Sequence, residues 1–273
     1  MSKELTVMDR VSSEKFKNHI ALVMPKGFEI DRHIATAVEQ VRKALKDNQR
    51  LAPMSILNSI YNASSMGLSF NPNSKEAYLV PFGSVATLII GYKGLMKLCK
   101  NAGMKNMTSK VIYAEDTFEY EEVDGIVNYT YTPTFEENKG KPMCVLTVAF
   151  MQDGSKDIRV LPYFKVLKTK NEAKSKGIWN KYEEEMAQKT AIRRHCAQLP
   201  QSLDDQNLQT AIRIDEMFDA GKPVTEANAD ISDMELEGEN YQEVVDNYNS
   251  DEKQSTKPDV SQPIVEGEIV EDA

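Results

Sequence analysis

Cysteine, histidine and tryptophan are scarce in this chain, with three, three and one among 273 residues. Cys99, Cys144 and Cys196 lie far apart and none belongs to a C-x-x-C pair. Neither a disulfide framework nor a zinc site is indicated, and the three read as buried thiols in a reducing compartment. His19, His33 and His195 show neither H-E-x-x-H nor H-x3-H spacing, which leaves them as ordinary polar or half-buried residues. There is no G-x-x-x-x-G-K-[ST] phosphate loop and no G-x-G-x-x-G turn, so neither ATP hydrolysis nor dinucleotide use has support. Long apolar runs are missing as well. The longest are strand-length, and Met1 to Phe16 holds no apolar stretch of signal-peptide type, so a cytoplasmic protein is expected.

What is present is enough apolar content for a real core, 41% of residues, and an uneven charge. The net charge is −9, yet residues 219–273 alone carry 16 acidic and 3 basic side chains, leaving residues 1–218 at +4. A mildly basic body with an acidic appendage suits a nucleic-acid partner; a solvated tail on a near-neutral globule fits the same numbers. Short apolar islands in the tail, such as Val244-Val245 and Ile269-Val270, could fold onto a protein partner.

The densest information lies between Asn71 and Gly103. Ala77 to Phe82 and Val85 to Ile90 are apolar runs rich in β-branched and aromatic residues, and Gly83-Ser84 suits a two-residue turn, which predicts a hairpin. A helix then starts near Gly91. Its residues advance by about 100° each, so Leu95, Leu98, Cys99 and Ala102 gather on one side and Lys93, Lys97 and Lys100 opposite, with Gly103 closing it. Helices are also predicted over 30–48 and 52–66, then strands over 107–114, 127–134, 143–151 and 156–162, then helices over 178–199 and 204–218. Residues 136–142 read as a hairpin loop. The fold class is α+β: a helical N-terminal portion, a central antiparallel sheet with packed helices, and a flexible acidic C-terminal tail. Residues 1–28 form an N-terminal arm, 29–218 the core and 219–273 the tail.

The helix over 178–199 changes character along its length. Trp179, Tyr182, Met186 and Thr190 define an inward stripe, which Lys189 and Arg193 continue, with Arg194 on the other flank. Inward cations need counter-charges, either phosphates in a groove or Glu183 and Glu185 nearby. The lysine row of Lys93, Lys97 and Lys100 is either a solvated face or a phosphate track, and Tyr92 beside it, with Tyr78 and Phe82 on the hairpin, could support stacked bases. Tyr113, Phe118, Tyr120, Tyr129 and Tyr131 make a second aromatic region. Lys165, Lys168, Lys170, Lys174 and Lys176 read as a basic loop. Asp116, Glu119 and Asp124 either hold a divalent ion for nuclease chemistry or mark a turn.

The blocks "AYLVPF…VATLIIGYKGLMKLCKNAG" and "GIWNKYEEEMAQKTAIRRHCAQLP", in this order, resemble the RecT family of phage single-strand annealing proteins, over roughly Ile30 to Leu199. The resemblance implies a core distantly like the Rad52-type annealing fold. It implies binding without bond chemistry: ATP-independent single-strand DNA binding and annealing of complementary strands in phage-type recombination, in a bacterial host's cytoplasm. It also implies a homo-oligomer, ring or filament, partnered by a companion exonuclease and the host single-strand-binding protein. No cofactor is expected, with Mg2+ a candidate modulator of DNA binding. On this reading Lys93, Lys97, Lys100, Lys189, Arg193 and Arg194 contact phosphates, and Tyr92 and Trp179 support bases. The competing readings are a metal-dependent nuclease around Asp116 and a structural phage oligomer without DNA activity.

Overall fold

The structure, a computed structural model, describes residues 6–48, 50–172, 176–199 and 205–219. In chain order these form α1 (Val7–Val11), α2 (Glu14–Val23), α3 (Ile30–Asp47), α4 (Pro53–Ser65), β1 (Ala77–Phe82), β2 (Val85–Ile90) and α5 (Tyr92–Asn101). There follow β3 (Met104–Tyr113), β4 (Thr117–Val123), β5 (Ile126–Thr132), β6 (Pro142–Met151), β7 (Lys156–Pro162), α6 (Tyr163–Glu172), α7 (Lys176–Lys181), α8 (Glu183–Gln198) and α9 (Gln206–Asp219). The class is α+β with antiparallel sheets, as expected. The acidic tail lies, apart from Asp219, outside the described residues.

The described residues divide into two units, 6–98 with 205–219 and 99–199. In the first, β1 and β2 pair from Ala77↔Ile90 to Phe82↔Val85, around a turn in which Gly83 takes φ 58°. That positive φ is why glycine stands at the first turn position. Helix α4 opens with Pro53, where a missing N–H costs nothing, and is buried on every face from Ser55 to Ser64. Its polar residues are used. Ser55 Oγ accepts from Ala86 N at 2.8 Å and Ser59 Oγ donates to Ala86 O at 3.1 Å, so the serines satisfy backbone groups of β2. Helix α9 also packs on β2; Asp205 caps it by accepting from Asn207 N and Leu208 N.

The second unit has three layers. Its sheet has the order β3-β6-β7, all antiparallel. Alternation sends Val111 and Val145 to one face, where Tyr163, Val166, Trp179, Ala187 and Ala191 of α6, α7 and α8 cover them. Ile112, Cys144, Leu146 and Val148 point to the other face, against Phe118 and Tyr131 of the separate β4-β5 hairpin.

Five expectations change. There is no single central sheet but three separate ones among the described residues. Residues 136–142 do not close a hairpin, because β5 pairs with β4 whereas β6 pairs with β3. The acidic stretch around Glu119 is a strand, joined to β5 by Asp124-Gly125 with φ 52° and 78°, both positive as a tight hairpin turn requires. The helix over 178–199 is two helices, broken at Tyr182, and the basic loop before it is largely helix α6.

Candidate nucleic-acid interface

Helix α5 carries the lysine row on a rigid mount. Leu95, Leu98 and Cys99 are fully buried, while Lys93 and Lys100 are exposed and make no ion pair among the described residues. Lys97 differs. Its ammonium donates to Glu76 Oε2 at 2.9 Å and Gly67 O at 2.8 Å, and lies 4.9 Å above the Phe28 ring. Glu76 also accepts from Ser69 N, so one half-buried ion pair ties α5 to the loop after α4 and to the entry of β1. In this arrangement Lys97 positions the helix, and the exposed cations of α5 are Lys93 and Lys100. Tyr92 is half-buried at the helix start. On β1, Phe82 is buried and Tyr78 partly so, which makes Phe82 a core residue.

In the second unit α8 turns Ala187, Ala191 and His195 inward, at i, i+4 and i+8. The expected stripe of Trp179, Tyr182, Met186 and Thr190 is therefore not one face of one helix. Trp179 sits in α7 at 3% exposure, enclosed by the core above the sheet, so its indole braces protein instead of offering a face to a base. Lys189 and Arg193, one turn apart, are half-buried on one flank of α8. Arg194 is exposed on the other flank, its Nη2 3.5 Å from Thr169 Oγ1. Of the two acidic residues expected near these cations, Glu183 has other partners: it accepts from Lys170 Nζ at 2.6 Å and from Tyr163 OH at 2.9 Å. Those bonds hold its carboxyl below the usual range, chiefly through Lys170.

A sequence model of the RecT family matches residues 31–231. Protein RecT of Escherichia coli strain K12 is 30% identical over 243 residues, covering 84% of this chain and 86% of that protein. The chain belongs to the RecT family. Its work therefore lies in DNA binding, strand annealing and phage-type recombination. The match reaches past Leu199 to include α9, farther than the two sequence blocks suggested.

Two acidic constellations in this RecT-family chain are structural. Asp116 accepts from Tyr113 N at 2.9 Å and Thr134 N at 2.8 Å, so its carboxylate closes the entry and exit of the β4-β5 hairpin. Among the described residues no group of three His, Cys, Asp or Glu is arranged to hold a metal ion. The second constellation was missed in the sequence, because its members are 10 to 48 residues apart and meet only through the register of β6 and β7. His195 Nδ1 lies 2.7 Å from Thr147 Oγ1, and its Nε2 is 3.2 Å from Asp157 Oδ1, close enough to pair but poorly aligned as a hydrogen bond. Asp157 is gripped by Arg159 through two bonds of 2.9 and 3.1 Å, and Arg159 Nη2 donates to the Gln198 carbonyl at the C-terminus of α8. A hydroxyl, an imidazole and a carboxylate in line have the make-up of a nucleophilic triad, but Thr147 is 2% exposed and no substrate can reach it. The set fastens α8 to the sheet. No helix among the described residues is long and apolar enough to cross a membrane.

Proposed function

We propose that this protein binds single-stranded DNA and anneals complementary strands without ATP, through cations mounted on packed helices. The observation that carries the reading is the exposed Lys93 and Lys100 pair on α5, a helix pinned by Lys97 and Glu76 and flanked by Tyr92, in a RecT-family chain. Backbone charge is neutralised without reading sequence, an aromatic edge tolerates any base, and strand pairing itself supplies the free energy. On α8 we assign the same role to Lys189, Arg193 and Arg194, with Trp179 and Lys97 supporting these surfaces from within. Antiparallel strands with helices on one face support a distant likeness to the Rad52-type annealing core. We keep Mg2+ as a modulator of binding.

The test mixes two complementary oligonucleotides with the protein in the absence of nucleotide and follows pairing. Pairing well above the protein-free rate is expected; pairing that demands ATP, or none, would overturn the reading. Lys93→Ala should weaken binding for every sequence and reduce the slope of log affinity against log salt by about 0.7. An unchanged slope in the folded variant would return Lys93 to a solvated role.

The acidic segment 219–273 we assign to protein partners, a companion exonuclease and the host single-strand-binding protein, because its charge opposes phosphate. A chain ended at Phe218 should anneal bare oligonucleotides as well as the full chain or modestly better, while recombination in cells falls. Loss of annealing on bare DNA would place the segment in the core instead.

A further inference from the structure

Two exposed faces of the second unit complement each other and cannot meet within one copy. The β4-β5 hairpin and the loops flanking it, residues 115–137, contain eight acidic and no basic residues. Its inner face, with Phe118 and Tyr131, covers the sheet; its outer face presents Glu119 and Glu121 leading to Val123 and Ile126 at the tip, all exposed. Such a surface repels phosphate, so it is no part of a DNA track. Helix α6 has the opposite chemistry. Tyr163 and Val166 are buried, while Phe164, 68% exposed, Leu167 and Lys168 recur at i, i+3 and i+4 on its outer side with Lys165 alongside. The hairpin lies on one face of the β3-β6-β7 sheet and α6 on the other, so no copy can satisfy its own pair.

We infer that the acidic, apolar-tipped hairpin of one copy docks on the basic, apolar face of α6 in the next. Val123 and Ile126 would cover Phe164 and Leu167, and Glu119 and Glu121 would face Lys165 and Lys168. The two patches differ, so the contact is head-to-tail. It leaves a free hairpin at one end and a free helix at the other, and repeats into a ring or a filament. The inference rests on the reading that this chain assembles with itself.

The full chain tests it. Val123→Cys and Phe164→Cys are made as separate proteins, mixed with and without a single-stranded oligonucleotide, and oxidised. A disulfide-linked dimer in the mixture, at least tenfold above either protein alone, is expected; Cys99, Cys144 and Cys196 are buried and contribute only background. In a second arm the charge reversals E119K/E121K and K165E/K168E should each lower the mass of the assembly in sedimentation, and mixing the two should restore it. Assemblies that persist unchanged in both reversals, with no cross-link, would overturn the contact while leaving self-assembly intact. A wild-type chain that stays monomeric with and without DNA would overturn self-assembly itself.

Discussion

Replacing Gly94 with alanine should destabilise the protein by about 2 kcal/mol, although the substitution favours the helix locally. Two effects oppose each other. Inside a helix alanine gains about 1 kcal/mol over glycine, because glycine loses more backbone freedom on folding. Against this, a Cβ on Gly94 would lie 3.1 Å from the Glu76 carbonyl carbon and well inside the contact distance of its oxygen, with Ile90 Cγ2 at 3.2 Å. The obstacle is backbone and cannot rotate away. That same oxygen accepts from Gly91 N at 2.9 Å, and Gly91 meets the Lys75 carbonyl in the same way, so two glycines let α5 lie against the entry of β1. Overpacking of this kind costs about 1–3 kcal/mol or more, which exceeds the propensity gain. The shift would also move Glu76 away from Lys97, so DNA binding should weaken in parallel. Denaturant unfolding of the two proteins gives the difference; an alanine variant as stable as the parent would mean that β1 can retreat freely.

The same segment shows why some of the fold was legible. The hairpin from Ala77 to Ile90 and the helix after it are written in local signals: dense apolar runs, a glycine at the turn, and apolar residues at helical spacing ending at Gly103. Their structural counterparts β1, β2 and α5 keep those boundaries within a residue or so. Strand β4 was hidden because its Glu119, Glu121 and Glu122 look like a loop, and a strand exposed on one face needs little apolar content. The Asp124-Gly125 pair was the usable signal, since an Asp-Gly pair between runs containing Tyr120 and Tyr129 marks a hairpin. The break at Tyr182 had a signal too. Glu183, Glu184 and Glu185 form an acidic first turn, which suits the positive end of a new helix better than the middle of a long one. Of the proposed contacts, the positions of Lys93 and Lys100 followed from periodicity alone. That Lys97 is held by Glu76, and that Trp179 is enclosed, depended on tertiary packing between segments far apart in the chain, and no spacing rule carries that.

Acid should destabilise this protein over the window from pH 6.5 to about 4, through two buried histidines. His33 is 4% exposed, and its Nε2 is 2.8 Å from Ser64 Oγ. Because that hydroxyl donates to Ile60 O at 2.6 Å, the imidazole is the donor to it. Burial, with Lys97 nearby and Glu76 opposing, lowers its pKa to about 4. His195 is 1% exposed, and burial together with the Arg159 charge outweighs Asp157 to bring it to about 4 as well. Both are neutral in the folded state at pH 7, and both take up a proton more readily when unfolded, near pH 6.5. The stabilisation is therefore complete above pH 6.5, falls as the pH drops toward 4, and levels off below. At pH 5 each histidine should cost about 2 kcal/mol relative to neutral pH. Denaturant unfolding at pH 7.5 and pH 5 would show a loss of about 4 kcal/mol from the two together. His33→Gln keeps a donor for Ser64 but does not titrate, so it should remove about half of this pH dependence whatever its effect at pH 7.5. An undiminished loss between the two pH values in that variant would trace the acid sensitivity to other groups.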